Sequence, residues 1–432
     1  MGIFSKIITF MGLAAVAAPA FAQEAMIQGN GDTAWLLTAS LIALLTVLPG
    51  LALLHAGRGT APFALSAFVQ SLAVAGAVSL LFAIIGYSIA FAPGTDLIGG
   101  GANIFLSSLA DVRDGLTVPE SAFALFQLIL AIVPPVLFAG ALTGRGRLPW
   151  VVAVTLVWSL IVYAPIAHWL WGSGWLAGLG AVDFAGGLVI HASAGISALV
   201  LLKMIGARTG WGSAPIRPHA PALGLTGAGL AWLGFFGING GWALSATDDA
   251  ATALINTHLA ACAAGFGWML AERIGKRRPS AAGFATGALA GIAAIASSAV
   301  YVAPFGAMLI GLAAAIAAYG AARLVRRWLR VDDPIQVFAV HGVGGIVGAL
   351  LLAAFVFPVL GGPGLEGDGT MLSMLVAQGV AVLTVVIWSV IGTLIAGFGV
   401  SMVLPMRISP DEEAAGTDAT IYAERAWDVT GL

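Results

Sequence analysis

Eleven apolar segments follow one another along the chain, each long enough to cross the roughly 30 Å hydrocarbon core of a bilayer. Their approximate limits are 33–55, 63–91, 121–142, 149–170, 185–205, 220–245, 251–273, 280–300, 304–325, 336–357 and 372–405. Lipid offers no partner for backbone N–H and C=O groups, so such segments close their hydrogen bonds internally and fold as helices. An all-α membrane protein is the fold class that follows. Composition excludes a soluble alternative: 9% of the 432 residues are charged, against about a quarter in a soluble domain. Net charge is −2, and no basic tract is interleaved with aromatic residues, which removes nucleic acid as a partner. The single cysteine, Cys262, rules out an intramolecular disulfide and a cysteine-built metal site. It stands in an apolar run and reads as a small buried filler.

Ahead of the first segment, Lys6 precedes a short apolar stretch ending in Ala18-Pro19-Ala20-Phe21-Ala22. Ala20 and Ala22 fit a signal-peptidase site with Gln23 as the mature N-terminus; the alternative is a twelfth, uncleaved helix. The expected division is a signal peptide over 1–22, a membrane domain over 23–405 and a polar cytoplasmic tail over 406–432. With the mature N-terminus outside, the connectors expected in the cytoplasm hold Arg58, Arg145, Arg147, Lys203, Arg208, Arg217, Arg273, Lys276, Arg277, Arg278, Arg323, Arg326, Arg327 and Arg330. The tail adds Arg407 and Arg425. The opposite connectors hold one basic residue, Arg113, beside Asp96, Asp111, Asp114, Glu120, Asp183, Asp248, Asp249, Glu366 and Asp368. This asymmetry obeys the positive-inside rule and predicts an N-out, C-in, multi-pass protein of a bacterial inner membrane. Small-residue phrases such as Gly224-Leu-Thr-Gly227-Ala-Gly229 predict close helix packing with little room for a wide aqueous pore.

An internal repeat marks the candidate site. The fifth segment contains His191-Ala-Ser-Ala-Gly195-Ile196 and the tenth His341-Gly-Val-Gly-Gly345-Ile346, and 341 − 191 = 150 residues separate them. Five segments per half is an odd number, so the second half is inverted relative to the first. The halves run over about 33–205 and about 220–357, and a last long helix covers about 372–405. Transporters built this way keep their site at the repeat interface near the midplane. The bland reading of each histidine is a local helix contact, but an ionisable residue inside the membrane is a functional candidate by default. Neutral imidazole offers one donor and one acceptor nitrogen. Two rings sharing an N–H···N bond would hold opposite tautomers and leave outward nitrogens for a small polar molecule or a proton. A bare cation at this depth costs at least about 2.5–3.5 kcal/mol, a penalty that a neutral molecule escapes.

Three stretches carry a resemblance: Pro165-Ile-Ala-His168-Trp-Leu-Trp171-Gly, Asp183-Phe-Ala-Gly-Gly-Leu-Val-Ile-His191, and Val337-Phe-Ala-Val-His341-Gly-Val-Gly-Gly-Ile-Val-Gly348. With Pro49-Gly50, Phe126-Gln127, Arg217-Pro218-His219 and Asn256-Thr257 in support, the chain resembles the ammonium transporter (Amt/Mep/Rh) family over its whole mature length. The resemblance implies an eleven-helix protomer, a homotrimer with one pore per protomer, and His191 and His341 as twin pore histidines. It implies that Asp183 shapes an external ammonium site, that Trp171 offers a face for cation–π attraction, and that Phe126 is an outer gate ring. Ammonium would be recruited outside, deprotonated and passed as ammonia, with a separate path for the proton. Read without the resemblance, Asp183 is an ordinary helix cap before an apolar run and Trp171 an interfacial belt residue.

Several positions depart from the family's pattern. Leu130 stands for a second gate phenylalanine, Ile238 for a pore phenylalanine, Trp242 for a small or hydroxyl residue of the outer site, Leu54 for an aromatic, and Leu188 for a hydroxyl. Trp242 either restores an aromatic face or blocks the vestibule, and the aliphatic residues keep an Rh-like gas channel open as a reading. His168 and His219 read as structural, His258 as a satisfied interior histidine, and His55 as a contact at the pore exit. Ala415-Gly416-Thr417-Asp418 and Tyr422-Ala423-Glu424 resemble the family's regulatory tail imperfectly; such tails dock a PII signalling protein, and the alternative is a solvated end. The main rival to transport is a poorly conducting sensor working through PII. No H-E-x-x-H, nucleophile elbow or Walker loop is present, so neither enzymatic chemistry nor a metal or cofactor is expected.

Overall fold

The computed structural model of the protein describes residues 28–109, 111–213, 217–364 and 369–427. The expected signal peptide at 1–22, Gln23, Glu366 and Asp368 lie outside the described residues. The chain forms α1 (Asn30–Arg58), α2 (Ala61–Phe91), α3 (Glu120–Leu142), α4 (Leu148–Gly178), α5 (Gly187–Ile205), α6 (Pro221–Gly241), α7 (Asp248–Ile274), α8 (Ala281–Ile295), α9 (Pro304–Leu329), α10 (Phe338–Phe355) and α11 (Met371–Ser401). Two short tail helices follow, α12 (Pro410–Ala415) and α13 (Thr417–Ile421). Among the described residues ten helices are long and apolar enough to cross a membrane, and only isolated bridges represent extended pairing.

The exception is α8, which the apolar run predicts over 280–300 and which ends instead at Ile295. Its C-terminal backbone is claimed by neighbours. Phe184 N donates to Ser297 O at 3.1 Å and Ala185 N to Ala296 O at 2.6 Å. Asn256 Nδ2 of α7 reaches both Ala299 O and Val302 O at 2.8 Å. Buried carbonyls must find a partner, and these come from other segments, so the helix has no need to continue.

Glycine sets the helix spacing where backbones nearly touch. A Cβ on Gly227 of α6 would strike the Leu54 amide of α1, so that crossing admits no larger residue.

Contacts sort the connectors into two groups. At one end Gly29 N meets Thr117 O, Asp32 accepts from Ala246 N, Trp175 N meets Asp96 O, and Gln378 bonds to Val182. At the other, which carries most of the arginines, Arg145 is wholly buried. It donates to Ala141 O (2.8 Å), Gly206 O (2.9 Å) and Asp332 O (2.9 Å) and lies 3.4 Å from the Asp332 carboxylate. Arg208 clamps the same carboxylate with two 2.7 Å bonds. Three connectors are thereby tied through one aspartate.

Burial opposes ionisation of Asp332, but the Arg208 hydrogen bonds and the Arg145 charge prevail and hold its carboxyl below the ordinary 3.8. A carboxyl lowered in the folded state contributes stability above its unfolded pKa and loses it as pH falls through the folded one. Asp332→Ala strands Arg145, and breaking a buried pair costs about 3–5 kcal/mol. The expected result in a detergent thermal melt is a large drop for this variant, and none for the exposed Asp114→Ala. The wild-type midpoint should also fall on acidification below the ordinary carboxylate range. An unchanged midpoint for Asp332→Ala would refute the assignment.

The tail packs in part against the membrane domain: Gly416, Thr417 and Asp418 are buried, whereas most of 419–427 is exposed. Arg407 pairs with Glu413 (2.9 Å), Arg147 with Glu412 (3.3 Å), and Glu413 accepts from Thr209 N (2.7 Å). Asp418, nearly fully buried, accepts from Leu65 N (2.9 Å) and Ser66 N (2.7 Å) and so caps α2 where its opening 3-10 turn at Ala61–Phe63 gives way to α-helix. Two expectations from the sequence need correction. His258 is exposed on α7, stacked beside Trp232 and Phe236, and Cys262 is only half-buried, 3.7 Å from the His258 ring. A helix covered on one side only presents these two residues outward, which an apolar run without clear periodicity does not reveal.

Candidate functional site

His191 lies in Gly187–Ala192 and His341 in Phe338–Val343, two turns wound as π-helix. Such turns are rare and frequent at functional sites. They lie where α5 and α10 cross closely. A Cβ on Gly195 would strike the backbone of Gly342, and one on Gly345 would strike Gly187 and crowd Ala192 N. With the 150-residue offset, Gly195 against Gly342 and Gly345 against Ala192 are the same contact made twice.

The crossing brings the imidazoles together. His191 Nδ1 and His341 Nδ1 are 3.0 Å apart, with ring centroids 5.0 Å apart and planes 12° from parallel. His191 is 0% and His341 4% exposed. One Nδ1 donates and the other accepts, so each ring keeps Nε2 for another partner. His191 Nε2 is buried without a hydrogen-bond partner among the described residues.

Asp183 is nearly buried, and its carboxylate is engaged on both oxygens. Oδ2 accepts from Leu188 N (2.9 Å) and Val189 N (2.8 Å), and Oδ1 from Ser297 Oγ (2.6 Å). Burial pushes this carboxyl above its ordinary value, against the Ser297 and backbone hydrogen bonds that favour the charged form. Its role as a cap at the start of α5 is therefore met, and the truncation of α8 is what delivers Ser297. Trp171 is anchored by Nε1 donating to Asp183 O at 2.6 Å.

Trp242 packs its ring 4.1 Å from Trp171, centroid to centroid, and Phe126 lies 6.0 Å from Trp242. Phe126, Leu130 and Ile238 are fully buried, Leu188 likewise, and Leu54 is 6% exposed. Phe235, Ile238 and Trp242 share one face of α6 at helical spacing. Phe235 faces His191 at 5.1 Å, so seven residues of rise, about 10 Å, separate the aromatic cluster from the imidazoles. The structure thus gathers Asp183, Trp171, Trp242 and Phe126 into one cluster and the histidines into another, joined along α6.

Beyond His341, a cavity of about 10 Å³, room for a single water, is lined by Leu54, His55, Arg58 and His341. His55 is 3% exposed, packs on Gly140, and its Nε2 has no partner among the described residues. His168 and His219 bond to backbone carbonyls, of Ala90 and Thr95 and of Gly59 respectively, in the structural roles expected.

Two residues escaped the sequence reading. Phe235 could have been found as one helical turn before Ile238. Asp333 could have been found by the repeat, since 333 − 183 = 150. Its Oδ2 accepts from Phe338 N, five residues on, as Asp183 does from Leu188 N.

A sequence profile described as Ammonium Transporter Family matches residues 34–427. An ammonium transporter of Aquifex aeolicus is 35% identical over 415 residues, which cover 95% of this chain and 96% of that protein. Ammonium transporter Amt1 of Archaeoglobus fulgidus is 36% identical over 404 residues, 92% of this chain and 99% of that one. Among solved structures, one titled Sensor Amt Protein superposes with a TM-score of 0.85 at 30% identity, covering 91% of this chain and 99% of its own. Candida albicans Mep2 superposes with a TM-score of 0.82 at 32% identity, covering 89% and 88%.

Proposed function

The chain belongs to the ammonium transporter family, whose members are membrane transporters and not enzymes, and from that premise we propose that it passes ammonia across a bacterial inner membrane alongside the His191–His341 pair. The observation that carries this reading is the buried imidazole pair, with Nδ1 atoms 3.0 Å apart. A cation held there would forfeit at least about 2.5–3.5 kcal/mol of hydration. Two neutral rings offer hydrogen bonds without a permanent charge, so the species that passes is ammonia. Ammonium is recruited near Trp171, Trp242 and Asp183 and gives up its proton before it goes deeper. Phe126 and Leu130 close the outer side, Ile238 lines the way to the pair, and Leu54 lines the inner side.

The reading extends to architecture. Eleven crossings, with α8 as the short one, agree with the two groups of connector contacts. The reciprocal glycine contacts and the matching Asp183 and Asp333 caps support two inverted five-helix halves followed by α11. Arginines gathered at one end support N-out, C-in. A homotrimer is favoured by His258, an exposed ionisable residue on α7 that a neighbouring subunit would cover and that would otherwise face lipid. The packed tail gives a PII-type partner a fixed surface at the basic end.

The test is growth. In cells lacking their own ammonium uptake, the protein is expected to restore growth on limiting ammonium and its His191→Ala variant is not. Equal growth with and without the wild-type protein would refute transport.

One observation favours a second reading. Trp242 packs tightly against Trp171, with ring centroids 4.1 Å apart and planes tilted by 40°, and a solved neighbour is titled a sensor. A chain that binds ammonium at the vestibule but conducts little, signalling through its docked tail, would show binding without growth rescue.

A further inference from the structure

A third imidazole stands inward of the pair. His55 follows Leu54 on α1, is 3% exposed, and lines together with His341 a cavity of about 10 Å³, with Leu137, Leu289 and Val340 among its aliphatic walls. The space holds one molecule of the size of water or ammonia. Helix α3 is shaped around the ring. A Cβ on Gly140 would strike its Cε1, Nδ1 and Nε2, so glycine there keeps room for the imidazole.

A neighbouring hydroxyl fixes the tautomer of this ring. Ser71 of α2 donates its single hydroxyl hydrogen to Ala67 O at 2.8 Å, while its Oγ stands 3.5 Å from His55 Nδ1. Facing the ring, this hydroxyl can only accept, so Nδ1 carries the hydrogen and Nε2 is left as an acceptor. That Nε2 is buried and has no partner among the described residues. His341 commits its Nδ1 to His191, so its remaining nitrogen is also Nε2. Two imidazoles therefore bound one small, mostly apolar cavity, and a buried acceptor gains most from a donor that fits beside it.

We propose that the cavity between His341 and His55 is a further stop on the route for one small neutral hydrogen-bond donor, ammonia, and that His55 Nε2 is the acceptor that draws it off His341. Three imidazoles then line the path where a pair alone would hand the molecule to aliphatic side chains. Ammonia has three N–H groups, so it gives one hydrogen to His55 Nε2 while it still bonds His341. A hydrogen bond of this kind moves no proton, so the step is independent of any separate proton path. The inference rests on the transport reading and deepens it, because nothing in the pair itself requires a third ring.

Proteoliposomes holding the full chain as wild type, His55→Leu or His55→Gln are given ammonium pulses, and the initial rates of lumen alkalinisation are compared. Leucine keeps the bulk without a polar atom, and glutamine sets an amide oxygen near the place of Nε2. His55→Leu is expected to slow alkalinisation about tenfold and His55→Gln to stay within about threefold of wild type. The second readout does not depend on conduction. It is solid-state NMR of the lipid-embedded wild type with isotope-labelled histidine nitrogens, the His55 signal being identified by its loss in His55→Gln. Nε2 is expected at the position of an unprotonated imidazole nitrogen, and to move when ammonium chloride replaces sodium chloride at one alkaline pH. A folded His55→Leu protein as fast as wild type overturns the stop, as does His55→Gln as slow as His55→Leu, or an Nε2 signal that ammonium leaves unmoved. A wild type that does not alkalinise the lumen defeats the transport reading instead, and the NMR response of its His55 ring then decides the site alone.

Discussion

His191→Ala is expected to lower ammonium-driven flux by about two orders of magnitude. The deletion removes one of two hydrogen-bonding groups at the most buried point of the route. What remains there is Phe235, a lone His341 and aliphatic walls. A nitrogen compound arriving without a partner faces a penalty comparable to that of a misplaced polar group at mid-bilayer, about 2.5–3.5 kcal/mol, and each 1.4 kcal/mol is a factor of ten in rate. His341 loses its 3.0 Å partner as well, so its tautomer is no longer fixed. His341→Ala should behave alike, because the contact is reciprocal. Initial rates from ammonium pulses in vesicles measure the effect, and selective flux unchanged from wild type would remove the pair from the mechanism.

Trp242→Ser is expected to act in the opposite direction, raising flux about tenfold. Trp171 is tied to the Asp183 carbonyl through its indole N–H, and Trp242 packs against it with ring centroids 4.1 Å apart. A cation held between two rings needs about 3.5–4.0 Å on each side, roughly twice that spacing. The two tryptophans, tilted by 40°, therefore leave no room for an ion between them. Serine would free the Trp171 face, and cation–π attraction worth about 0.5–2 kcal/mol would become available to ammonium. The serine hydroxyl adds an acceptor. A fall in flux would show instead that Trp242 recruits the ion, and no change would show that the stack lies off the route.

These two positions illustrate what a sequence makes legible. The histidines were visible because a 150-residue repeat and an odd number of segments imply a symmetric meeting point, and the rings do meet. Trp242 was visible as an intruder, but whether it offers a face or fills a gap depends on its distance to Trp171, which separate elements set through packing. The end of α8 was illegible for a related reason: its apolar run continues to 300, and the helix stops because Phe184, Ala185 and Asn256 take its backbone groups. Hydropathy carries no trace of such long-range competition. Cys262 and His258 were misjudged because a run of apolar residues does not say which face of a helix meets its neighbours. Asp333 was legible and overlooked, since the repeat that pairs the histidines also pairs it with Asp183.

The most direct measurement is the rate of lumen pH change in vesicles reconstituted with the wild-type chain after an ammonium pulse. Ammonia entering through the protein takes up a proton inside, so alkalinisation faster than in protein-free vesicles of the same lipid is the expected result. Rates indistinguishable from lipid alone would contradict passage along the His191–His341 pair.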